Sequence, residues 1–464
     1  MNTFAKRMAP LLAALLLVAC STVPELKAPP IDMPSAFKEA PDGTTWKVAQ
    51  PAEAQARGAW WLAFNDPVLT SLIDEATRAN ATLAVAAARV KQARALAGLA
   101  EADRIPQLGA GLGAQRSGAE GIAPAKLYQA RLSASYEVDL FGRVGASVSA
   151  SQADAAASEA TYKSVLLSLQ ADVAQTYFRL RETDAELASL ARTVDLRAQS
   201  VKVNQSRFDN GDIGEFDLAR ARTELSVARA EAIGLQRQRV QNEHALAVLL
   251  GKPAAMFTAE ASALPENAAL PVIPAGLPSS LLERRPDITA AQRVMVASNA
   301  RIGVAKSAMF PALSLNGGFG SESGSAGSLF NWSARSWVLG ALLSMPIIDG
   351  GRNKANVARS EAVLEESVAA YRQNVLVAFA EVEDNLAGLR ILTGQAEQLD
   401  AAVVSARRSA DLAQKLYQAG RSSYLDLLDA QRNLAAAERS AVQLRGDRAV
   451  TTVALIRSLG GGWQ

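Results

Sequence analysis

The chain carries its own pattern twice, and this repetition constrains the fold more than any other feature. Arg207-Phe208-Asp209-Asn210-Gly211 is echoed by Leu416-Tyr417-Gln418-Ala419-Gly420, and Phe216-Asp217-Leu218 by Leu425-Asp426-Leu427. Leu225 returns as Leu434, Leu250-Gly251 as Leu459-Gly460, and Gly142-Arg143 as Gly351-Arg352, every pair 209 positions apart. Pro106-Gln107-Leu108 recurs as Pro311-Ala312-Leu313 at an offset of 205. A period this long means two structural units of one design. The reading is repeat 1 over 61–260, a linker over 261–285 and repeat 2 over 286–464.

Each repeat mixes two periodicities. Leu166, Val173, Leu180, Leu187, Val194, Val201 and Phe208 are spaced by seven, and their counterparts are Val375, Val382, Leu389, Ala396, Val403, Ala410 and Tyr417. This is a coiled-coil register. Its second seam position is mixed, with Leu169 and Leu190 alternating with Thr176 and Thr183, so much of the helix circumference is expected to be wet. No proline interrupts 143–209, which allows one helix of about 100 Å at 1.5 Å per residue. Gly211 and Gly420 are expected to end the long helices, and partner helices follow at about 215–250 and 424–459. Shorter helices are expected at about 80–103 and 287–307.

The other period is two. Tyr128, Ala130, Leu132, Ala134, Tyr136 and Val138 alternate with Gln129, Arg131, Ser133, Ser135, Glu137 and Asp139. Weaker alternation runs through Leu108, Ala110, Leu112 and Ala114, and through Leu313, Leu315 and Phe319. Trp337, Leu339, Ala341, Leu343, Met345 and Ile347 form one face of the last segment. The expected strands are about 105–116, 127–139, 310–321 and 335–348. Such lengths suit tilted membrane strands, although a soluble sheet with one wet face would alternate in the same way. The Gly/Ser-rich loop 321–325 and the indoles of Trp332 and Trp337 near a membrane edge favour the membrane.

At the N-terminus, basic Lys6 and Arg7 precede an apolar run too short to span a bilayer, which ends in Leu17-Val18-Ala19-Cys20. The pattern resembles a lipoprotein signal over 1–19, with Cys20 the lipidated residue and Ser21 favouring the outer membrane. Residues 20–60 then read as a Pro-rich tether, with Pro24, Pro29, Pro30, Pro34, Pro41 and Pro51.

Composition excludes several other functions. The single cysteine and the single histidine, His244, leave no disulfide framework, no Cys-based zinc site and little basis for His-dependent catalysis. A net charge of +2 argues against nucleic-acid binding by bulk charge. Gly109-Ala110-Gly111-Leu112-Gly113-Ala114 imitates a dinucleotide loop, but its glycines alternate within a strand, and no phosphate-binding GxxxxGK[ST] is present. We expect no catalytic residues, no metal and no cofactor.

Four strands do not close a barrel, and open edges in lipid leave backbone groups unpaired. Spanning a membrane therefore requires chains to share a barrel: 8 strands from two, 12 from three, 16 from four. An 8-stranded barrel fills its own interior, so a lumen lined by Gly, Ser and Gln implies three chains or more.

Several segments resemble signatures of the TolC/OprM family of outer-membrane efflux proteins, in its lipoprotein, NodT-like branch. They are Leu282-Glu283-Arg284-Arg285-Pro286-Asp287-Ile288, Ala300-Arg301-Ile302-Gly303-Val304-Ala305-Lys306, residues 136–143, residues 346–352 and the tip segment 417–430. The resemblance implies a mixed α/β membrane protein: a homotrimer with a 12-stranded transmembrane β-barrel, four strands per chain, continuous with a 12-helix periplasmic tunnel. It implies an outer-membrane channel passively exporting compounds delivered by an inner-membrane pump, of RND type, through a periplasmic adaptor. The alternatives are a coiled-coil scaffold or adaptor lipoprotein without channel activity, and the channel of a type I protein secretion system.

Asp426 and Asp429 lie three apart, on one helix face just after Gly420. That spacing equally describes a solvated helix start, where acids favour the macrodipole. Repeat 1 keeps Asp217 but has Arg220 in place of the second acid. The resemblance implies that Asp426 and Asp429 form the periplasmic gate, supported by Asp217, Arg220, Tyr417 and Arg421, with the turns at Gly211 and Gly420 as the tips that dock the adaptor.

The lipid assignment rests on Cys20 alone. Cys20→Ser should yield an unlipidated precursor whose strands still insert. Palmitate labelling checks this, and label retained by the variant would contradict it.

Overall fold

The computed structural model describes residues 22–26, 37–39, 58–265, 270–271, 273 and 284–461, so Cys20 lies outside the described residues. In chain order the elements are α1 (Pro67–Ala79), α2 (Ala81–Ala102), β1 (Gln107–Ala119), β2 (Ile122–Val138), α3 (Arg143–Asp209), α4 (Glu215–Leu249), α5 (Pro286–Ser307), β3 (Ala312–Ser323), β4 (Arg335–Ser344), α6 (Arg352–Gln418) and α7 (Tyr424–Ser458). The long helices α3 and α6 have 67 residues each and their partners α4 and α7 have 35 each, so the repetition in sequence is a repetition in structure. The chain forms two compact units, one of residues 1–31, 87–161 and 287–374, the other of 32–86, 162–286 and 375–464. No described helix is long and apolar enough to cross a membrane.

The first unit holds a four-stranded antiparallel sheet in the order β1-β2-β3-β4. Directly paired residues share a face, so the register determines what each face presents. Leu108 pairs with Ala134, Ala110 with Leu132, Leu132 with Phe319, Phe319 with Trp337 and Leu313 with Leu343. All the apolar alternating positions therefore fall on one face. Gly111 pairs with Arg131, Ser133 with Gly318, Ser135 with Asn316, and Asn316 with Gly340, giving a second face mostly of small and polar residues, to which β4 adds Val338 and Leu342. Leu108, Leu112, Leu132, Phe319, Trp337 and Leu339 are each more than half exposed in the chain, a continuous apolar surface that water does not tolerate at this size.

Two strand ends differ most from the sequence reading. β2 begins at Ile122 rather than 127, because Pro124 sits beside the hairpin turn, where β3 no longer pairs and the register against β1 is irregular. A missing N–H is harmless there. β4 stops at Ser344 rather than 348, just before Met345-Pro346. Beyond the sheet, Asp139 accepts from the amides of Val144 and Gly145 (3.0 and 2.7 Å) and Glu137 grips Arg143 with two 2.6 Å bonds, which turns the chain from β2 into α3. Asp349 opens α6 similarly, and the amides of Asn353 and Gly351 hold its carboxyl below the usual carboxylate range. The start of the tether is seated in the same unit: Thr22 Oγ1 lies 3.0 Å from the carbonyl oxygens of both Phe141 and Gly303, and Asn299 donates to Pro24 O at 2.8 Å.

In the second unit, α1 packs Leu69, Ile73 and Ala76 against Val173, Phe178 and Leu180 of α3, Leu246 of α4 and Val453 and Ile456 of α7. Sequence reading missed α1, although Asp66 followed by Pro67 is a helix-start signal. Asp66 Oδ1 accepts from the amides of Val68 and Leu69, and its Oδ2 accepts from the Tyr177 hydroxyl at 2.6 Å. Burial, then Asp66, pushes that hydroxyl up to about 12. The chain after α4 is strapped down by buried charges. Asp184 bridges Arg181 and Arg239, Arg239 reaches Glu243, and these side chains bond the backbone of Ala259, Glu260 and Ser262.

The two faces lead to opposite expectations for adjacent residues. Leu132→Arg places a charge on the apolar face, at a cost of about 2–4 kcal/mol near a bilayer midplane, and should abolish membrane assembly. Ser133→Arg, on the polar face, should leave assembly intact. Heat-modifiable migration of outer-membrane fractions on gels distinguishes the two results.

Candidate functional site

The candidate gate residues cluster at the two helix-hairpin turns of the second unit. Each long helix ends in the same way. The amide of Gly211 bonds Phe208 O and that of Asp212 bonds Arg207 O, while Gly420 bonds Tyr417 O and Arg421 bonds Leu416 O. These paired bonds close a Schellman motif. Its pivot needs a left-handed backbone, and Gly211 and Gly420 supply it at φ +81° and +68°.

The turns sit on a small core of their own. Ala221, Tyr417, Tyr424, Leu427 and Leu428 are buried together, flanked by Val201 and Ala413. Tyr417 joins the two repeats. Its hydroxyl donates to Asn204 Oδ1 of α3 at 2.9 Å, its ring lies 5.8 Å from that of Tyr424, and the Arg207 guanidinium rests 4.8 Å above it. Asn204 is fully buried and donates back to Ser200 O at 2.9 Å. Two turns back along α3, buried Arg197 donates to Gln431 of α7 at 2.7 Å, and burial lowers its pKa. Burial also raises the pKa of the Tyr424 hydroxyl.

Asp426 and Asp429 are both exposed, but they differ in role. Asp426 is the third residue of α7 and completes a capping box with Ser423. Its Oδ2 accepts from the Ser423 amide at 3.0 Å and hydroxyl at 2.8 Å, and its own amide bonds Ser423 Oγ at 3.2 Å. Asp429 makes only a loose 3.9 Å approach to Arg432, whose guanidinium grips Glu224 of α4. In repeat 1 the N-cap is Gly214, with no side-chain cap bond, so Asp217 is not held as Asp426 is. Arg220 lies 5.9 Å from the Phe216 ring, and Arg421 is exposed at the turn. Within one chain, no ion pair among the described residues joins Asp217, Arg220 or Arg421 to the two acids.

Sequence reading missed Asn204, Arg197 and Ser423. Asn204 and Arg197 continue the mixed seam series of Thr176, Thr183 and Leu190, so extending the heptad would have found them as polar seam residues. Ser423 followed three residues later by Asp426 varies the capping-box pattern by using Asp for Glu. Among the described residues no group of three His, Cys, Asp or Glu could hold a metal ion.

The link between Tyr417 and Asn204 is open to test. Tyr417→Phe leaves a buried amide oxygen unpaired and should destabilise the protein by about 1–3 kcal/mol per chain. Adding Asn204→Leu, which removes the stranded partner, should recover most of the loss. Thermal denaturation in detergent of the two single variants and the double variant measures this coupling.

Comparison with known proteins agrees with this architecture. The outer membrane efflux protein family pattern matches residues 72–252 and 277–461, one match in each repeat. The chain is 33% identical over 460 residues to the cation efflux system protein CusC of Escherichia coli O6:H1, covering 99% of both chains. It is 35% identical over 471 residues to outer membrane protein OprJ of Pseudomonas aeruginosa, covering 98% of this chain and 95% of that one. A crystal structure of CusC superposes with a TM-score of 0.85 at 31% identity, over 96% of this chain and all of that one. The open-state MtrE outer membrane channel of Neisseria gonorrhoeae gives 0.84 at 29% identity, over 96% and 98%. With both repeats matched and nearly the whole length aligned, the chain belongs to the outer membrane efflux protein family.

Proposed function

We propose that three copies of this chain form the outer-membrane channel of a tripartite efflux system, and that Asp426 and Asp429 line its periplasmic constriction. The observation that carries the reading is the sheet, with a continuous apolar face, an opposite face rich in Gly, Ser, Asn and Gln, and outer edges on β1 and β4 that no described strand of the chain covers. Three such sheets joined edge to edge make a 12-stranded barrel with lipid outside and a wet lumen inside. A periplasmic scaffold would have no use for such a face.

Export through the channel is passive, with energy supplied by the partners: an inner-membrane pump, and a periplasmic adaptor that docks at the Gly211 and Gly420 turns. Relatives are named for cations, for solvents in the SrpC pump protein of Pseudomonas putida, and for antibiotics in ArpC of the same species. Such varied cargo among similar chains fits a conduit that leaves selection to the pump. Cys20 would anchor each chain to the leaflet through its acyl chains.

At the constriction, threefold repetition turns each acid into a ring of three carboxylates, which attracts cations and repels anions. Asp429, loosely paired and exposed, contributes mainly charge. Asp426 has a second role as a helix cap, so alanine there would confuse a lost cap with a lost charge. The test is therefore Asp426→Asn with Asp429→Asn, since the amide oxygen can still accept from the Ser423 amide. Planar-bilayer recordings should show reduced cation selectivity and weaker block by multivalent cations. Unchanged selectivity and block would reduce the pair to a helix-start feature.

A further inference from the structure

The seam where α3 of repeat 1 meets α7 of repeat 2 is built of polar rungs, and one of them is mismatched. Asp172 faces Arg457 at 3.7 Å, Glu186 takes Arg439 at 3.0 Å and Gln443 at 3.2 Å, and Arg197 reaches Gln431 at 2.7 Å. Between the first two of these lies Glu182, and what α7 presents there is Gly446 and Asp447. A carboxylate thus meets bare backbone and a second carboxylate where its neighbours meet a cation or an amide.

Gly446 accounts for the fit. The carboxyl of Glu182 occupies the space that any β-carbon at 446 would fill. Glycine is poorly suited to a helix interior, and here it makes the notch that receives this side chain. The charged groups around the notch do not compensate. On α3, Glu186 adds negative charge, and Arg179, an exposed cation, offsets it by a smaller amount. From α7, Asp447 adds negative charge and Arg439 is engaged by Glu186. The nearby charges of α4, Arg239 and Glu243, are closed into the network with Arg181 and Asp184.

We propose that Glu182 is a proton-operated latch between the two repeats: its neutral carboxyl packs into the Gly446 notch and holds α3 against α7, and its ionisation loosens the seam through repulsion by Asp447 and Glu186. The titration falls in a useful range. Burial first, then Asp447 and Glu186, push the Glu182 carboxyl up to about 7, from an ordinary 4.5. An acid raised in the folded state contributes stability that is complete below its unfolded pKa and is lost as pH rises through the folded one. The seam is therefore tight below about pH 4.5 and loosens progressively as pH rises from there through about 7.

The test uses the full-length protein in detergent. In the wild type, the thermal midpoint should fall as pH rises from 6 to 8. Amide hydrogen exchange over residues 443–449, corrected for its intrinsic pH dependence, should quicken roughly tenfold, as one unit of coupled titration requires. Glu182→Gln should remove both changes and hold the seam at pH 8 at least as tight as the wild type at pH 6. Asp447→Asn, a surface change that leaves the notch intact, should move the step to lower pH. A wild type with no step, a step that survives Glu182→Gln, or one that Asp447→Asn leaves in place would overturn the proposal.

Discussion

An unpaired backbone edge has nowhere to go in a lipid bilayer, and most features of this chain follow from that. Each N–H or C=O left without a partner in hydrocarbon costs several kcal/mol. The sheet ends in β1 on one side and β4 on the other, with 13 and 10 residues. Its apolar face calls for lipid and its edges call for other strands. In the proposed assembly further copies of the same chain satisfy both needs, because a β4 edge can pair with the β1 edge of a neighbour. The duplicated sequence fits this solution: each repeat supplies one pair of strands, one long helix and one shorter partner helix.

The helices solve a different problem. A tunnel wall needs helices that touch along narrow seams and stay wet elsewhere, and a purely apolar seam would let them slide by a heptad. The polar residues in the seam oppose slippage. Across the seam the Asn204 amide oxygen takes the Tyr417 hydroxyl, and Arg197 takes Gln431. A shift of register would strand each of them without a partner, at a cost that apolar contacts do not make good. The same logic makes the Glu182 rung stand out, since it alone places acid against acid.

How legible each part was in the sequence depended on how local its cause was. The alternation of β2 and the heptads of α3 and α6 are written in consecutive residues, so strand faces and helix spans could be read directly. Strand ends depended on pairing, as with Pro124, which is tolerated only because β3 has already ended beside it. The candidate gate acids could be placed at a helix start but their local contacts could not be separated, because the capping box that occupies Asp426 and spares Asp429 requires knowing that Ser423 starts the helix. The notch at Gly446 was invisible for a related reason: it depends on a residue 264 positions earlier in the chain, Glu182. The candidate lipid anchor is the opposite case, a wholly local pattern ending at Cys20.

The central claim is that one barrel is shared among chains, and the mass of the purified protein in detergent tests it most directly. Light scattering with the detergent contribution subtracted should give three times the mass of one chain, and the assembly should persist in mild detergent without cross-linking. A monomer of about 48.8 kDa would contradict the account, because four strands with two open edges would then have to be stable in lipid alone.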